Sequence, residues 1–259
     1  RLLASVGRAL EAAEQAERAA TQSSLFADAE VPRGGRDAYV EAPPWDLQRR
    51  LLEEKSALGF SISGHLFSIY ERELAGFART ALAKLTPGER VWMAGVVAQA
   101  RVQMTRRGRM MVVTLDDASA QVEITVFSEL FDRSRDKIKE DALLVVAGKV
   151  QRDEFSGGLR VSADEILDLE SMRARFAARL RIAVNGQADA RRLQQVLAPY
   201  RASGDAACPV VVAYRNSSAA CEVALGESWR VRPASELIAE LGAWLAPENV
   251  QLVYSASAG

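Results

Sequence analysis

The stretch "VWMAGVVAQARVQMTRRGRMMVVTLDDASAQVEITVF", residues 91–127, changes the period of the chain. Before it, apolar residues recur at helical spacing; within it they alternate or run together as in strands. Residues 91–104 read as one long strand, and Gly95 inside it predicts a bulge or sharp bend. "TRRGR" (105–109) is a turn in which Gly108 supplies a positive φ without steric cost. "MMVVTLDD" is a second strand, and "ASA" a tight connection to the third. In "QVEITVF" (121–127), Val122, Ile124 and Val126 face inward, while Gln121, Glu123, Thr125 and Phe127 face outward.

Past this stretch, residues 128–140 read as a short helix with Ser128 at its N-cap. "ALLVVAGKVQRD" is a fourth strand, "EFSGG" a turn and "LRVSADEILDL" a fifth strand. Three strands, a helix and two more strands are the arrangement of the oligonucleotide/oligosaccharide-binding (OB) barrel, whose closure removes the free sheet edges. A long first strand with a glycine where it bends serves both halves of such a barrel. We therefore expect an α+β multidomain protein: a five-stranded OB-fold β-barrel over 91–168, a small α+β domain over 169–259, and a helical N-terminal segment.

That N-terminal segment divides further. Residues 1–20 are rich in strong helix formers, with Leu2, Leu3, Val6 and Leu10 at helical spacing. They read as the last helix of an upstream domain, and a start at Arg1 without an initiator Met is expected of a piece of a longer protein. Residues 21–44 read as a linker ending in Pro43-Pro44. Residues 45–90 are a helical connector: Trp45, Leu47, Leu51, Leu52 and Leu58 share one face, and a second short helix follows over roughly 65–77. In the C-terminal domain we expect a helix over 169–178 and strands at 179–184, 208–214, 220–225 and 249–254. A short strand is also expected at 228–233, with helices at 189–200 and 234–245. Trp229, Leu237, Leu241 and Trp244 are read either as core or as a contact surface.

Composition narrows the function. The chain has 259 residues, enough for more than one core. With 33 basic and 34 acidic residues, no bulk field selects a polyanion. His65 is the only histidine, and Cys208 and Cys221 the only cysteines, which rules out a Cys/His zinc cluster and makes a reducing compartment the default. We read both cysteines as buried free thiols. No apolar run has membrane-spanning length and no signal segment is present, so a cytoplasmic protein without a membrane partner is expected. There is no Gly-rich phosphate loop and no Gly-x-Ser-x-Gly elbow. Asp116-Asp117 reads as a turn-building pair and His65 as a capping or packing residue. We assign no catalytic residue, metal ligand or cofactor.

The nucleic-acid signal is local. Arg101, Arg106, Arg107 and Arg109 cluster at the first hairpin without an acid among them. Lys149, Arg152 and Arg160 lie on the last two strands, where the loop between those strands can close the same groove. Phe127 and Phe155 are candidate platforms for base stacking, which tolerates any sequence because every base has a π-face. These nine residues form the expected single-stranded DNA site. A tRNA- or RNA-binding OB module and a purely protein–protein assembly module are the alternatives, the first distinguished by 2′-hydroxyl contacts.

Three segments carry a resemblance: "LGFSISGHLFSIYERELAGFA" (58–78), "RVQMTRRGRMMVVTLDDASAQVEITVF" (101–127) and "VVAGKVQRDEFSGGLRVSADEILDL" (145–169). Their order and spacing resemble the C-terminal region of the bacterial replicative DNA polymerase III alpha subunit across essentially the whole chain. Two departures are visible: Leu66 stands where that family usually has Pro, and Ala120 where it often has Gly. The resemblance implies that residues 1–20 end a helix-hairpin-helix region and that the polymerase active site lies upstream, so this stretch is not itself an enzyme. It further implies template contact by the OB domain and binding of the clamp-loader tau subunit by the last domain. It also implies a sliding-clamp-binding peptide of the form Gln-x-x-(Leu/Met)-Phe in the linker. Gln22, Ser24, Leu25 and Phe26 in "QSSLF" match it. Two adjacent apolar anchors on an extended peptide suit a hydrophobic cleft, with Gln22 bonding at its rim.

Overall fold

The computed structural model describes residues 1–21, 39–78, 80–105, 108–153, 157–185, 189–204 and 207–255. It divides into two compact units, Arg1–Ser63 and Gly64–Gly259.

The first unit holds two helices. α1 (Leu2–Thr21) leaves the expected stripe of Leu2, Leu3, Val6 and Leu10 exposed. Ser5 ties it to the segment before α2, accepting from Val40 N at 2.8 Å. α2 (Leu47–Leu58) is capped by Asp46, which accepts from Arg49 N at 2.7 Å, and is closed by Gly59 at φ 84°. Of its expected apolar face only Leu51 is fully buried; Trp45, Leu47 and Leu58 are exposed. Glu54 fastens the following turn, accepting from Ile62 N and Ser63 N at 2.8 Å each and from Ser63 Oγ at 2.5 Å. The Ser63 bonds pull its carboxyl down to about 2.

The second unit begins with α3 (Ser68–Leu74), shorter than expected; Leu66, where the resemblance leads one to look for Pro, is buried ahead of it. Five strands then close into a barrel: β1 (Arg90–Thr105), β2 (Gly108–Asp116), β3 (Gln121–Phe127), β4 (Leu143–Arg152) and β5 (Leu159–Leu167), in the order β1-β2-β3-β5-β4. β1 is shared between two partners, pairing with β4 over Arg90–Val96 and with β2 over Val96–Thr105. Gly95 sits at the handover, where a Cβ would lie 3.1 Å from Leu115 Cβ and 3.2 Å from Asp116 N. The bulge itself falls just after it, between Val97 and Gln99. α4 (Ser128–Ser134) follows β3; Ser128 is its first helical residue rather than its cap, because Phe127 keeps extended backbone up to the helix start.

α5 (Leu169–Phe176), capped by Asp168 at 2.7 Å from Ser171 N, leads into a second sheet. Its strands are β6 (Ala177–Asn185), β7 (Val210–Arg215), β8 (Ala220–Ala224) and β9 (Val250–Tyr254), ordered β8-β7-β6-β9. α6 (Ala190–Leu197) and α7 (Ser235–Leu245) contribute Val196, Leu197, Leu237 and Leu241 to its core, with Trp229 and Trp244 packed at the margin. The expected strand at 228–233 is instead a 3-10 turn, Glu227–Trp229, followed by isolated bridges from Val231 to Arg201 and to Cys208. Val231 exchanges both main-chain bonds with Cys208, at 2.7 and 2.9 Å, and Pro233 ends the run. The two cysteines do not both have the expected environment: Cys208 is buried, whereas Cys221 is exposed opposite Tyr214 on β8. Burial pushes the Cys208 thiol up to about 11.

Two apolar cores result. One fills the barrel, around Met93, Leu115, Ile124, Leu144 and Val161. The other runs from the second sheet onto the barrel's outer wall, where Ala94, Leu143 and Val145 join Leu180, Ile182 and Leu237. Phe77 stands in this junction, its ring 5.7 Å from Trp92, 4.9 Å from Phe176 and 5.8 Å from Tyr254. Beneath the rings, Arg173 is only 4% exposed. It meets Glu73 through two nitrogens at 2.7 and 2.6 Å and donates to Ser235 Oγ at 2.9 Å. Tyr254 donates to the same carboxylate at 2.5 Å. Burial opposes the Arg173 charge, but the bonds and field of Glu73 outweigh it and the guanidinium is held above its ordinary range. Burial first, and then Glu73, push the Tyr254 hydroxyl strongly upward. Removing either partner of a buried pair strands the other. We expect Arg173→Ala or Glu73→Ala to cost about 3–5 kcal/mol in urea denaturation, and the double variant much less than the sum. Single-variant losses under about 1 kcal/mol would remove the pair from its structural role.

Candidate nucleic-acid interface

The barrel register decides which of the expected residues share a surface. Arg101 stands opposite Val112, Val112 opposite Thr125, Thr125 opposite Ser162, and Ser162 opposite Lys149. The neighbouring outer row is Gln99, Thr114, Glu123, Arg160 and Gln151. On the other side lie Gln103, Met110 and Phe127. The row between the first two, Ala100, Val113, Ile124, Val161 and Val150, belongs to the barrel interior. Alternation therefore sets Arg101, Lys149, Arg160 and Phe127 on one outer face.

Arg152 and Arg109 are not in those rows. Arg152 is opposite Leu159 and shares its strand face with Val150; Arg109 is opposite Met104 at the hairpin end and lies 3.7 Å from Asp132. Arg106, Arg107 and Phe155 lie outside the described residues, as do Gln22, Ser24, Leu25 and Phe26.

The centre of the face is held by a residue that the sequence reading did not select. Glu123 bonds Arg101 at 2.8 Å through one oxygen and Arg160 at 3.2 Å through the other. Arg160 also reaches Asp153 at 3.5 Å, and its Nε is closed off from solvent with no hydrogen-bond partner among the described residues. The alternation of β3 gave the outward direction of Glu123; nothing in the sequence gave its two partners. Between the charged residues, Val112 and Thr125 are buried. Phe127 is 51% exposed and Met104 78%, leaving apolar surface at the end of the first hairpin.

The Asp pair is occupied by the turn. Asp117 accepts from Leu82 N at 2.8 Å, Ser119 N at 2.9 Å, Ser119 Oγ at 2.6 Å and Ala120 N at 3.1 Å. Asp116 accepts from Ala118 N at 2.8 Å and Gln121 Nε2 at 2.7 Å, and lies 3.1 Å from His65 Nε2. His65 Nδ1 accepts from Phe67 N at 3.1 Å, which fixes the ring at the start of α3. The left-handed position of the turn is Ala118 at φ 68°, not Ala120. Among the described residues no group of three or more His, Cys, Asp or Glu side chains is placed to hold a metal, and no helix is long and apolar enough to cross a membrane.

Comparison with known proteins agrees with this architecture. Residues 91–169 match the OB-fold nucleic acid binding domain family. Residues 192–245 match the family of the DNA polymerase III subunit alpha, C-terminal domain. The chain is 34% identical over 256 residues to DNA polymerase III subunit alpha of Neisseria meningitidis serogroup A, an alignment covering 97% of this chain and 22% of the relative. It is 35% identical over 265 residues to the same subunit of Vibrio cholerae, covering 98% and 23%. The chain belongs to the family of the DNA polymerase III alpha C-terminal region. It spans less than a quarter of the length of these relatives. Among solved structures, the second OB-fold domain of replication protein A from Methanococcus maripaludis is 21% identical with a TM-score of 0.30, covering 35% of this chain and 94% of that one.

The Asp117 carboxyl is held below the usual range: burial raises it, and the bonds from Ser119, Leu82 and Ala120 overcome that. A depressed folded pKa gives stability that is present above the unfolded value of about 3.9 and is lost as pH falls through the folded value. Asp117→Asn is thus expected to cost about 1–3 kcal/mol near neutral pH, with the gap to the parent closing in acid below about pH 3. Urea melts at several pH values measure it, and a gap independent of pH would contradict the assignment.

Proposed function

We propose that this chain is the non-catalytic, contact-making end of a DNA polymerase III alpha subunit, acting in replication in the cytoplasm. Its barrel holds single-stranded template DNA on the outer face formed by β1, β2, β3, β5 and the Lys149 end of β4. The peptide Gln22–Phe26 holds the sliding clamp, and the sheet-and-helix part after the barrel holds the tau subunit of the clamp loader. The domain boundaries we propose are those expected from the sequence, with the barrel over 91–168 flanked by the connector and the last domain. Polymerase chemistry is assigned to the part of the protein upstream.

The observation that carries the template reading is the shared outer face of Arg101, Lys149, Arg160 and Phe127 on a barrel of this family. Cations on one face with an exposed ring at its end suit a strand whose phosphates run along the rows and whose bases stack. Glu123 bears on the strength of this contact. It occupies two of the cations, so a phosphate must displace it to gain them.

Fluorescence anisotropy with labelled single-stranded DNA and RNA of equal length, at about 50 and about 200 mM salt, tests the reading. DNA binding is expected to be weak and to fall steeply with salt. Arg101→Ala combined with Arg160→Ala is expected to weaken it about tenfold and to lower the salt slope by about 0.7 per lost phosphate contact. Glu123→Gln is expected to tighten it several-fold. Tighter binding to RNA than to DNA favours the RNA-module reading; no DNA binding at low salt removes the template role. For the linker, Leu25→Ala with Phe26→Ala is expected to abolish co-elution with the clamp on a sizing column, and unchanged co-elution removes that contact.

A further inference from the structure

The two edges of the second sheet are finished differently. At one edge, β9 has Leu252 and Tyr254 buried in the core. At the other, all five residues of β8, Ala220–Ala224, are exposed. Its pairing with β7 has no bulge, and its sequence has neither Pro nor Lys. Of the devices by which sheets protect a free edge, β8 has its short length and one charge, Glu222, which is paired with Arg181; it has no Pro, Lys or bulge.

The register shows which groups are free. Asn216 N donates to Ala219 O at 2.9 Å and Leu225 N to Val210 O at 3.0 Å. Bonded and non-bonded pairs alternate in an antiparallel ladder, so residues 219, 221, 223 and 225 turn their main-chain groups to β7. Ala220, Glu222 and Ala224 turn theirs to the open edge. No hydrogen bond from another described residue reaches these groups.

Beside this edge, on the sheet face away from α6 and α7, lies a concavity of about 740 Å³. Its floor is small: Ala183, Ala213 and Ala220. Arg181 at one side is paired with Glu222 at 3.0 Å. Arg215 at the other is exposed, lies opposite Ala220, and has no acidic partner among the described residues. We infer that β8 accepts an extended segment of another protein as a fifth strand, with an acidic side chain of that segment on Arg215. A carboxylate beside Ala220 would share the sheet face of Arg215, with one alanine between them. A second copy of this chain fits less well: full antiparallel overlap of β8 with itself sets Glu222 against Glu222, a like-charge pair. The inference rests on the reading that this part of the chain binds tau, which then supplies the strand.

The test is titration of tau against the full 259-residue chain and its variants. Ala224→Pro removes one outward N–H and leaves the bonds to β7 intact, and is expected to weaken binding about tenfold. Ala224→Lys places a charge at the edge and is expected to weaken it similarly, and Arg215→Glu several-fold. Amide hydrogen exchange gives a signature that does not depend on variants folding. In the complex the amides of Ala220, Glu222 and Ala224 gain protection, while those of Cys221 and Val223, already bonded to β7, do not change. If tau binds the parent chain and the edge amides stay unprotected, or folded edge variants bind as the parent does, the inference fails and the tau reading stands. If tau does not bind the parent chain at all, the tau reading itself fails and the inference with it. Concentration-dependent dimerisation that protects the same three amides without tau would assign the edge to a second copy and overturn the inference.

Discussion

The second unit is organised around one buried ion pair. Arg173 on α5 takes Glu73 from α3, Ser235 from the start of α7 and, through that carboxylate, Tyr254 at the end of β9. The bonded pairs are 62 to 181 positions apart in the chain, and the network joins the approach to the barrel, its exit, the start of α7 and the end of β9. A guanidinium this deep pays a large desolvation cost, so its value lies less in net stability than in permitting one arrangement. The apolar contacts around it are less selective. Phe77, Trp92, Phe176 and Tyr254 tolerate several ring geometries, whereas the two-pronged bond to Glu73 fixes both position and angle.

The consequence is a division of the barrel's outer wall. Where β1 pairs with β4, outward residues such as Ala94, Leu143 and Val145 are covered by the second core. Where β1 pairs with β2, outward residues are free to carry function. The bulge between Val97 and Gln99 separates the two regions and resets the alternation. Before it, Met93 and Val97 face the interior; after it, Ala100 does, and Arg101 faces out. If the strand ran on from Val97 without the bulge, strict alternation would send Arg101 toward the barrel core, where an unpaired guanidinium is not tolerated. The bulge thus places the cation on the wall that the second core leaves open.

Much of this was legible in the sequence, and the failures have identifiable causes. The order of the five barrel strands followed from alternation and from turn residues such as Gly108, because those signals are local. Gly95 announced a bend but not its place three residues on, since a bulge is fixed by cross-strand register. The strand expected at 228–233 was lost to the 3-10 turn at Glu227–Trp229 and to a bridge with Cys208, a partner 23 residues away from Val231. Site residues divided in the same way. Arg101, Lys149, Arg160 and Phe127 came together because their spacing respects the strand period; Arg152 did not because it is one residue out of phase with Lys149 and Gln151. Glu123 was visible as an outward residue, but its link to Arg101 and Arg160 spans three strands, which no local pattern encodes.

Glu123 also bears on how a nearly neutral chain would make the proposed contact with single-stranded DNA. With 33 basic and 34 acidic residues there is no long-range field to draw DNA in, and charges beyond about 8–10 Å are screened at physiological salt. In the proposed contact, attraction would come from groups that touch the strand. Exposed pairs such as Arg101–Glu123 contribute at most about 1 kcal/mol to stability, so the carboxylate is a poor structural investment. It holds two guanidinium groups in position on the face, and in the proposed contact it would compete with phosphate for them. Pre-positioning reduces the ordering cost of each contact, and competition from Glu123 lowers its net gain. A face built this way favours contacts that form readily and release readily, which is what the proposed template contact would require.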